Sequence, residues 1–312
     1  MHTVRGPRAI APRSFKLAAL GICATLGLAL ASAPALAKTS STKPTAPKIN
    51  PNTPVTPGST YLALGDSVTF GFQEAQVVPA PNYLDASSLL GYPEMLGSEL
   101  HLTVANAACP GETSSSLIND TSGVFLCENP TSGYRPKFPL HVKYNGSQLD
   151  YAVSYLKKHK NVRLVSLMIG ANDFFACQAT TADHCASLPE QAAVLATVTR
   201  NVKTILSTIR NKAHYSGQVA IVNYSSTDYA NPVGSGQSQL LNSTVDTAAK
   251  PFHVEVADGF GVLQAAAAHS SGGNTCAAGL LTQLSGGGCG IHPSYAGQAL
   301  LAQALEQAIK LG

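Results

Sequence analysis

A serine hydroxyl becomes a useful nucleophile only when a base takes its proton and fixed donors stabilise the oxyanion its attack creates. This chain carries residues of those types in four short blocks. The first is Gly65-Asp66-Ser67, where a tight turn would lift the Ser67 hydroxyl clear of the backbone. In the second, Ala107-Ala108-Cys109-Pro110-Gly111-Glu112-Thr113, Gly111 allows close backbone approach and an N–H aimed at a ligand oxygen. The third, Gly170-Ala171-Asn172-Asp173, offers the Asn172 amide as a donor. In the fourth, Ile291-His292-Pro293-Ser294, Pro293 keeps His292 extended just ahead of a helix that Ser294 can cap. Together these groups suit acyl transfer. His292 would take the proton of Ser67, and the N–H groups of Ser67 and Gly111 with the Asn172 side chain would hold the oxyanion. Singly, each block also has an ordinary reading as a turn, a loop glycine or a histidine flanking a helix.

Position gives the blocks their weight. Runs rich in Val, Ile and Leu alternate with segments of helical spacing, the pattern of an α/β domain. Strands are predicted at 61–64, 102–107, 162–169, 218–223 and 253–257, and helices at 88–100, 147–159, 189–212, 237–250 and 295–311. The run 164–169, apolar except for Ser166, suits a strand buried on both faces of a parallel sheet. The first three blocks follow the first three strands, at the carboxyl edge where open α/β sheets bind ligands, and the fourth precedes the last helix. Segments 73–87, 112–146 and 270–290 fit neither period. The middle one is too long for an ordinary connection, so it is either functional or ordered by its Cys and Pro content.

In this order, the GDS tripeptide, the downstream glycine, Gly-x-Asn-Asp and His-Pro resemble the four blocks of the SGNH, or GDSL, hydrolase family over about residues 61–311. The resemblance implies a flavodoxin-like three-layer α/β/α sandwich around a mainly five-stranded parallel sheet. It also implies a serine esterase or lipase with no metal or organic cofactor, with Ser67 and His292 catalytic and Ser67, Gly111 and Asn172 forming the oxyanion hole. One residue departs from the pattern. The family commonly has Asp three residues before the histidine, and this chain has Cys289, whose sulfur accepts hydrogen bonds poorly. The favoured partner for the imidazole is then the main-chain carbonyl of Cys289, with Asp258 and Asp228 as the carboxylate rivals. Asp66 is expected to shape the turn.

The chain opens with Arg5, Arg8, Arg13 and Lys16, an apolar run over 17–31, and Ala35-Leu36-Ala37, which together read as a secretory signal peptide over 1–37 cleaved after Ala37. A membrane anchor fits less well, because the run is short of the roughly 20 residues a spanning helix needs and Gly21, Gly27 and Pro34 interrupt it. Residues 38–58, rich in Pro, Thr and Lys, read as a disordered linker, with a cell-wall tether as the rival. One catalytic domain over 59–312 remains. Without the signal, 16 basic residues face 17 acidic ones; beyond Pro57 it is 13 against 17, so nothing attracts nucleic acid.

Cys23 leaves with the signal. The even set Cys109, Cys127, Cys177, Cys185, Cys276 and Cys289 reads as three disulfides in an extracellular protein, paired as nearest neighbours. The same count makes the chain similar to the secreted bacterial esterase and lipase branch of the family. Zinc is the weaker reading, since no Cys-x-x-Cys or His cluster with ligand spacing is present.

The expected substrate is a small-molecule or lipid ester met by a monomer with no stable membrane insertion. Phe70, Phe72, Val77, Val78, Tyr83, Phe125, Tyr134 and Phe138 could wall a lipophilic acyl pocket, or else form a satellite core beneath the loops. Deacetylation of a polysaccharide such as acetyl xylan is the enzymatic alternative. A non-catalytic module that binds glycan or lipid is the alternative of another class.

Overall fold

The computed structural model describes residues 50, 52–121 and 127–312, which belong to the compact unit Thr45–Gly312. The signal segment, residues 38–49 of the linker and Phe125 lie outside the described residues. Five strands, β1 (Thr60–Gly65), β2 (Thr103–Asn106), β3 (Val162–Met168), β4 (Gln218–Val222) and β5 (Glu255–Ala257), form one parallel sheet in the order β2-β1-β3-β4-β5. Every residue of β1 and β4 is buried, as continuous apolar runs in a two-sided parallel sheet require. Tyr61 and Ser166, polar groups inside that core, satisfy each other at 2.6 Å.

Helices cover both faces. α2 (Tyr92–Glu99), α8 (Gly259–Ser271) and α9 (Tyr295–Ala308) pack together. α3 (Ser114–Ile118), α4 (Gln148–Lys158), α6 (Leu188–Ser207) and α7 (Pro232–Ala249) form the other group. The short α1 (Ser67–Phe70) and α5 (Ala171–Thr180) follow β1 and β3 directly. With this strand order the crossovers leave β1 and β3 in opposite directions, opening a crevice at their carboxyl ends.

All five predicted strands and all five predicted helices are present, with shifted ends. α7 begins at Pro232 rather than 237 because Asn231 caps it and Pro suits its first position. α6 ends at Ser207 and continues as a π turn over Thr208–Lys212. α8 was not predicted: its Gly- and Ala-rich sequence carries no clear apolar stripe. Segment 270–290 contains β6 (Leu281–Gln283), paired antiparallel with β7 (Cys289–Pro293). The end of the expected linker is packed rather than free: Val55 is buried and bridges to Leu311, and Thr53 O accepts from Gln218 Nε2 at 2.8 Å. The cysteines pair as nearest neighbours, Cys109–Cys127, Cys177–Cys185 and Cys276–Cys289.

A buried amide ties the carboxyl edge together. Gln148, at the start of α4, accepts from Gly65 N at 3.0 Å and donates to Gly65 O at 2.8 Å and to Glu112 Oε2 at 2.7 Å. The Glu112 main-chain oxygen in turn accepts from Asn172 Nδ2 at 3.0 Å. One side chain thus links the ends of β1, β2 and β3. Burial, aided by the charge of Glu128, pushes the Glu112 carboxyl up to about 8 despite hydrogen bonds from Ser116 and Gln148. An unfolded Glu ionises near 4.5. Between those values the folded chain holds the extra proton, so this group makes stability fall as pH rises through the window. Glu112→Gln has no proton to lose, and Ser116 can turn its hydroxyl to suit. Chemical denaturation at pH 5 and pH 8.5 should show the variant gaining on the wild type by on the order of a few kcal/mol at the higher pH. A difference independent of pH would mean that Glu112 is already ionised in the fold.

Candidate active site

Ser67 opens α1, and Asp66 caps it, with Oδ1 accepting from Val68 N at 3.0 Å. The turn needs glycine before it. Gly65 has φ +153°, and a Cβ there would lie 2.5 Å from Met168 O. Asp66 Oδ2 accepts from Tyr224 Oη at 2.6 Å and, more loosely, from Asn172 Nδ2 at 3.3 Å. Burial outweighs these bonds and raises the Asp66 carboxyl to about 6. Asp66 therefore shapes the turn, as expected, and also ties it to the loop after β4.

His292 lies on β7 beneath an edge of Phe72. Its Nε2 is 2.9 Å from Ser67 Oγ, and its Nδ1 is 2.8 Å from Glu74 Oε1. The partner of the imidazole is thus Glu74, in the loop after α1, and not the carbonyl of Cys289. The two carboxylate rivals are engaged elsewhere: Asp258 caps α8, accepting from Gly261 N at 2.8 Å, and Asp228 accepts from Ala230 N at 3.0 Å. Glu74 Oε1 also accepts from Ile291 N at 2.7 Å and His292 N at 3.2 Å, while Thr282 Oγ1 donates to Oε2. Partial burial opposes the charge, but the hydrogen bonds from His292 and Thr282 and the nearby imidazole outweigh it and lower the carboxyl to about 2. An ionised carboxylate only accepts, so Nδ1 must carry the proton and Nε2 is left to accept from Ser67.

Space for this carboxylate comes from Gly290, where a Cβ would lie 2.1 Å from Glu74 Oε1. The sequence signal for Glu74 was slight: it is the one carboxylate between Asp66 and Asp85, in a segment that fits neither helix nor strand.

The expected oxyanion donors gather around Ser67. Gly111 has φ +85°, a conformation that favours glycine although nothing crowds its α-carbon. Among the described residues the N–H groups of Ser67 and Gly111 have no acceptor. Both Asn172 amide hydrogens are engaged, with Glu112 O and, at the longer distance, with Asp66.

Two cavities meet at Ser67, Asn172 and His292. One, of about 540 Å³, is walled by Phe72, Tyr83, Tyr134 and Phe138 together with Pro110 and Gly111. These four aromatics also pack against a satellite core containing Phe70, so the loop aromatics are both a wall and a core. Phe70 itself is fully buried, and Val77 and Val78 line a separate cavity with Tyr295 and Leu281. The other cavity at Ser67, of about 290 Å³, was not anticipated. It is walled by Val68, Phe174, Phe175, Tyr224, Leu241 and Ile291.

A family model described as GDSL-like Lipase/Acylhydrolase matches residues 63–300. The chain belongs to this family. It is thereby a carboxylic ester hydrolase. No curated protein sequence matches the chain. Among solved structures, the GDSL-like chain is similar to a phospholipase A1 from Streptomyces albidoflavus NA297, at 20% identity and a TM-score of 0.52, over 80% of this chain and 99% of that one. An acetyl xylan esterase from Geobacillus stearothermophilus is also similar, at 15% identity and a TM-score of 0.46, over 83% and 98%. The likeness to the phospholipase A1 structure, with the five-stranded parallel sheet, establishes the α/β fold. No helix among the described residues is long and apolar enough to cross a membrane.

Three substitutions test the geometry around His292. Glu74→Gln should lower turnover by roughly 10²–10⁴-fold with the protein still folded, as loss of a triad carboxylate does. Asp258→Asn, which can still cap α8, should leave turnover near wild type; the reverse ranking would remove Glu74 from the role. Gly290→Ala should push the flexible Glu74 carboxylate aside without disturbing the sheet. Its thermal midpoint should stay close to wild type while kcat falls about 10²-fold, the cost of a displacement near 1 Å at a reacting centre.

Proposed function

We propose that this hydrolase is a secreted serine esterase or lipase in which Ser67 is the nucleophile, His292 the general base and Glu74 the carboxylate that orients His292. The observation that carries the reading is the continuous relay of 2.9 Å from Ser67 Oγ to His292 Nε2 and 2.8 Å from His292 Nδ1 to Glu74 Oε1. In the forward step His292 takes the Ser67 proton as Oγ attacks the ester carbonyl. The N–H groups of Ser67 and Gly111 receive the oxyanion, and Asn172 joins them by giving up its longer contact with Asp66. His292 then hands the proton to the departing alcohol, and water, activated the same way, frees the acid.

The preferred acyl group is lipophilic. Its support is the 290 Å³ cavity beside Ser67, whose walls include Phe174, Phe175, Leu241 and Ile291. Secretion is supported by three disulfides and by the signal-like N-terminus.

A series of p-nitrophenyl esters from acetyl to palmitoyl, run beside acetylated xylan, tests both the reaction and the substrate. The expected result is kcat/KM rising from acetyl toward medium-length chains, with negligible acetate release from xylan. Ser67→Ala should abolish hydrolysis with little change in thermal stability, because a small, partly exposed hydroxyl adds little to packing. Preference for acetyl groups on xylan would reverse the substrate assignment, and turnover surviving in Ser67→Ala would reverse the mechanism.

A further inference from the structure

Five of the eleven exposed large apolar side chains among the described residues lie on or beside the segments that line one opening. Phe175 and Ile291, 39% and 53% exposed, stand at the 290 Å³ cavity and belong to its wall. On α7, Val233, Gln237 and Leu240 share one face by helical spacing, and Gln237 lines the cavity while Val233 and Leu240 are 69% and 45% exposed. On α6, Leu188 is 79% exposed and lies one turn before Gln191, another lining residue. Five such side chains from four elements thus stand on the wall of the cavity that ends at Ser67 or within one helical turn of residues that line it, and Phe175 and Ile291 also line the neighbouring 540 Å³ cavity. Scattered apolar residues on a surface need no explanation, but a group gathered beside one cavity does.

Charge limits what can cover this group. The cavity wall holds no Lys or Arg, and its carboxylate and imidazole, Asp66 and His292, lie inside beside Ser67. Beyond Pro57 the chain has 13 basic against 17 acidic residues, and Glu190 stands in the first turn of α6 beside Leu188. An anionic surface would be repelled, and a soluble ester needs no apolar rim.

We propose that Leu188, Val233, Leu240, Phe175 and Ile291 dock the enzyme on an assembled lipid surface with zwitterionic or neutral headgroups, so that an ester chain passes from the aggregate into the cavity beside Ser67. This rests on the esterase reading above and adds the physical state of the substrate to it. The attachment is apolar: the side chains enter the headgroup and acyl boundary with no ionic contribution.

The test uses the full mature protein. Ser67→Ala, which binds without consuming lipid, is floated with phosphatidylcholine vesicles and with phosphatidylglycerol vesicles at low and high salt. Binding should favour phosphatidylcholine and be insensitive to salt. Adding Leu188→Ser and Val233→Ser, neither of which lines the cavity, should cut that binding roughly tenfold or more, since each aliphatic side chain buried in lipid is worth about a tenfold change. In the Ser67 background the same pair should leave kcat/KM on a dissolved butyrate ester unchanged and lower activity on emulsified long-chain ester by a similar factor.

The proposal is overturned if wild-type and variant proteins bind phosphatidylcholine equally or not at all. It is also overturned if binding is salt-sensitive and prefers phosphatidylglycerol, or if the substitutions merely dissolve a dimer of the chain seen without lipid. Failure to hydrolyse the dissolved ester would strike the esterase reading instead, whatever the vesicles show.

Discussion

A carboxylate surrounded by four donors sets the geometry of the carboxyl edge. Glu74 receives the imidazole N–H of His292, the main-chain N–H groups of Ile291 and His292, and the hydroxyl of Thr282. Each donor comes from the β6–β7 hairpin, whereas Glu74 belongs to the loop that leaves the Ser67 turn. Charge-assisted bonds of this kind are roughly twice as strong as neutral ones, and four on one group overcome the cost of half-burying it. The hairpin is thereby held to the first loop, and the ring of His292 is fixed in rotation and tautomer with Nε2 facing Ser67.

The other buried acids at this edge are shifted the opposite way, and the contrast separates their roles. Asp66 and Asp173 are raised to about 6 by burial, and Glu112 to about 8. Their partners are mainly hydroxyls, amides and main-chain N–H groups: Tyr224 for Asp66, Ser114 for Asp173, Ser116 and Gln148 for Glu112. Such neutral partners position a carboxyl without insisting on its charge. They suit groups that hold three loops in register, while Glu74, lowered to about 2, keeps its charge beside the imidazole of His292.

Much of this was legible in the chain. The alternation of buried runs with amphipathic segments marked all five strands, and the chemical blocks at their ends pointed to Ser67, Gly111 and Asn172, which the fold brings to one cavity. His292 was legible because Pro293 and Ser294 announce the start of α9. The carboxylate bonded to His292 was not. Glu74 acts across 218 residues of sequence, from an irregular loop, and no local period or spacing records such a contact. The role of Gly290 was hidden for the same reason, since its missing side chain matters only once Glu74 arrives. The cavity beside α5 and α7 escaped too, because its walls come from six separated segments, whereas the loop aromatics Tyr83, Tyr134 and Phe138 stood out as a cluster of types.

Cys289 occupies the position where the family pattern leads one to expect an acid, and the structure shows how charge and position are divided there. Cys289 bonds to Cys276, with Cα atoms 5.7 Å apart, so the start of β7 is held covalently. The next residue, Gly290, leaves room; the two after it, Ile291 and His292, turn their N–H groups to Glu74. A carboxylate at 289 would have to reach Nδ1 from the histidine's own strand. Supplying it from the loop after α1 makes these bonds a bridge between two segments, 67–74 and 291–292, that also meet where Phe72 packs against the His292 ring. Ser67, His292 and Glu74 are then held by one set of contacts. A shift of the hairpin that lengthens the bond between His292 and Ser67 also strains the bonds to Glu74, and the disulfide at Cys289 limits how far that shift can go.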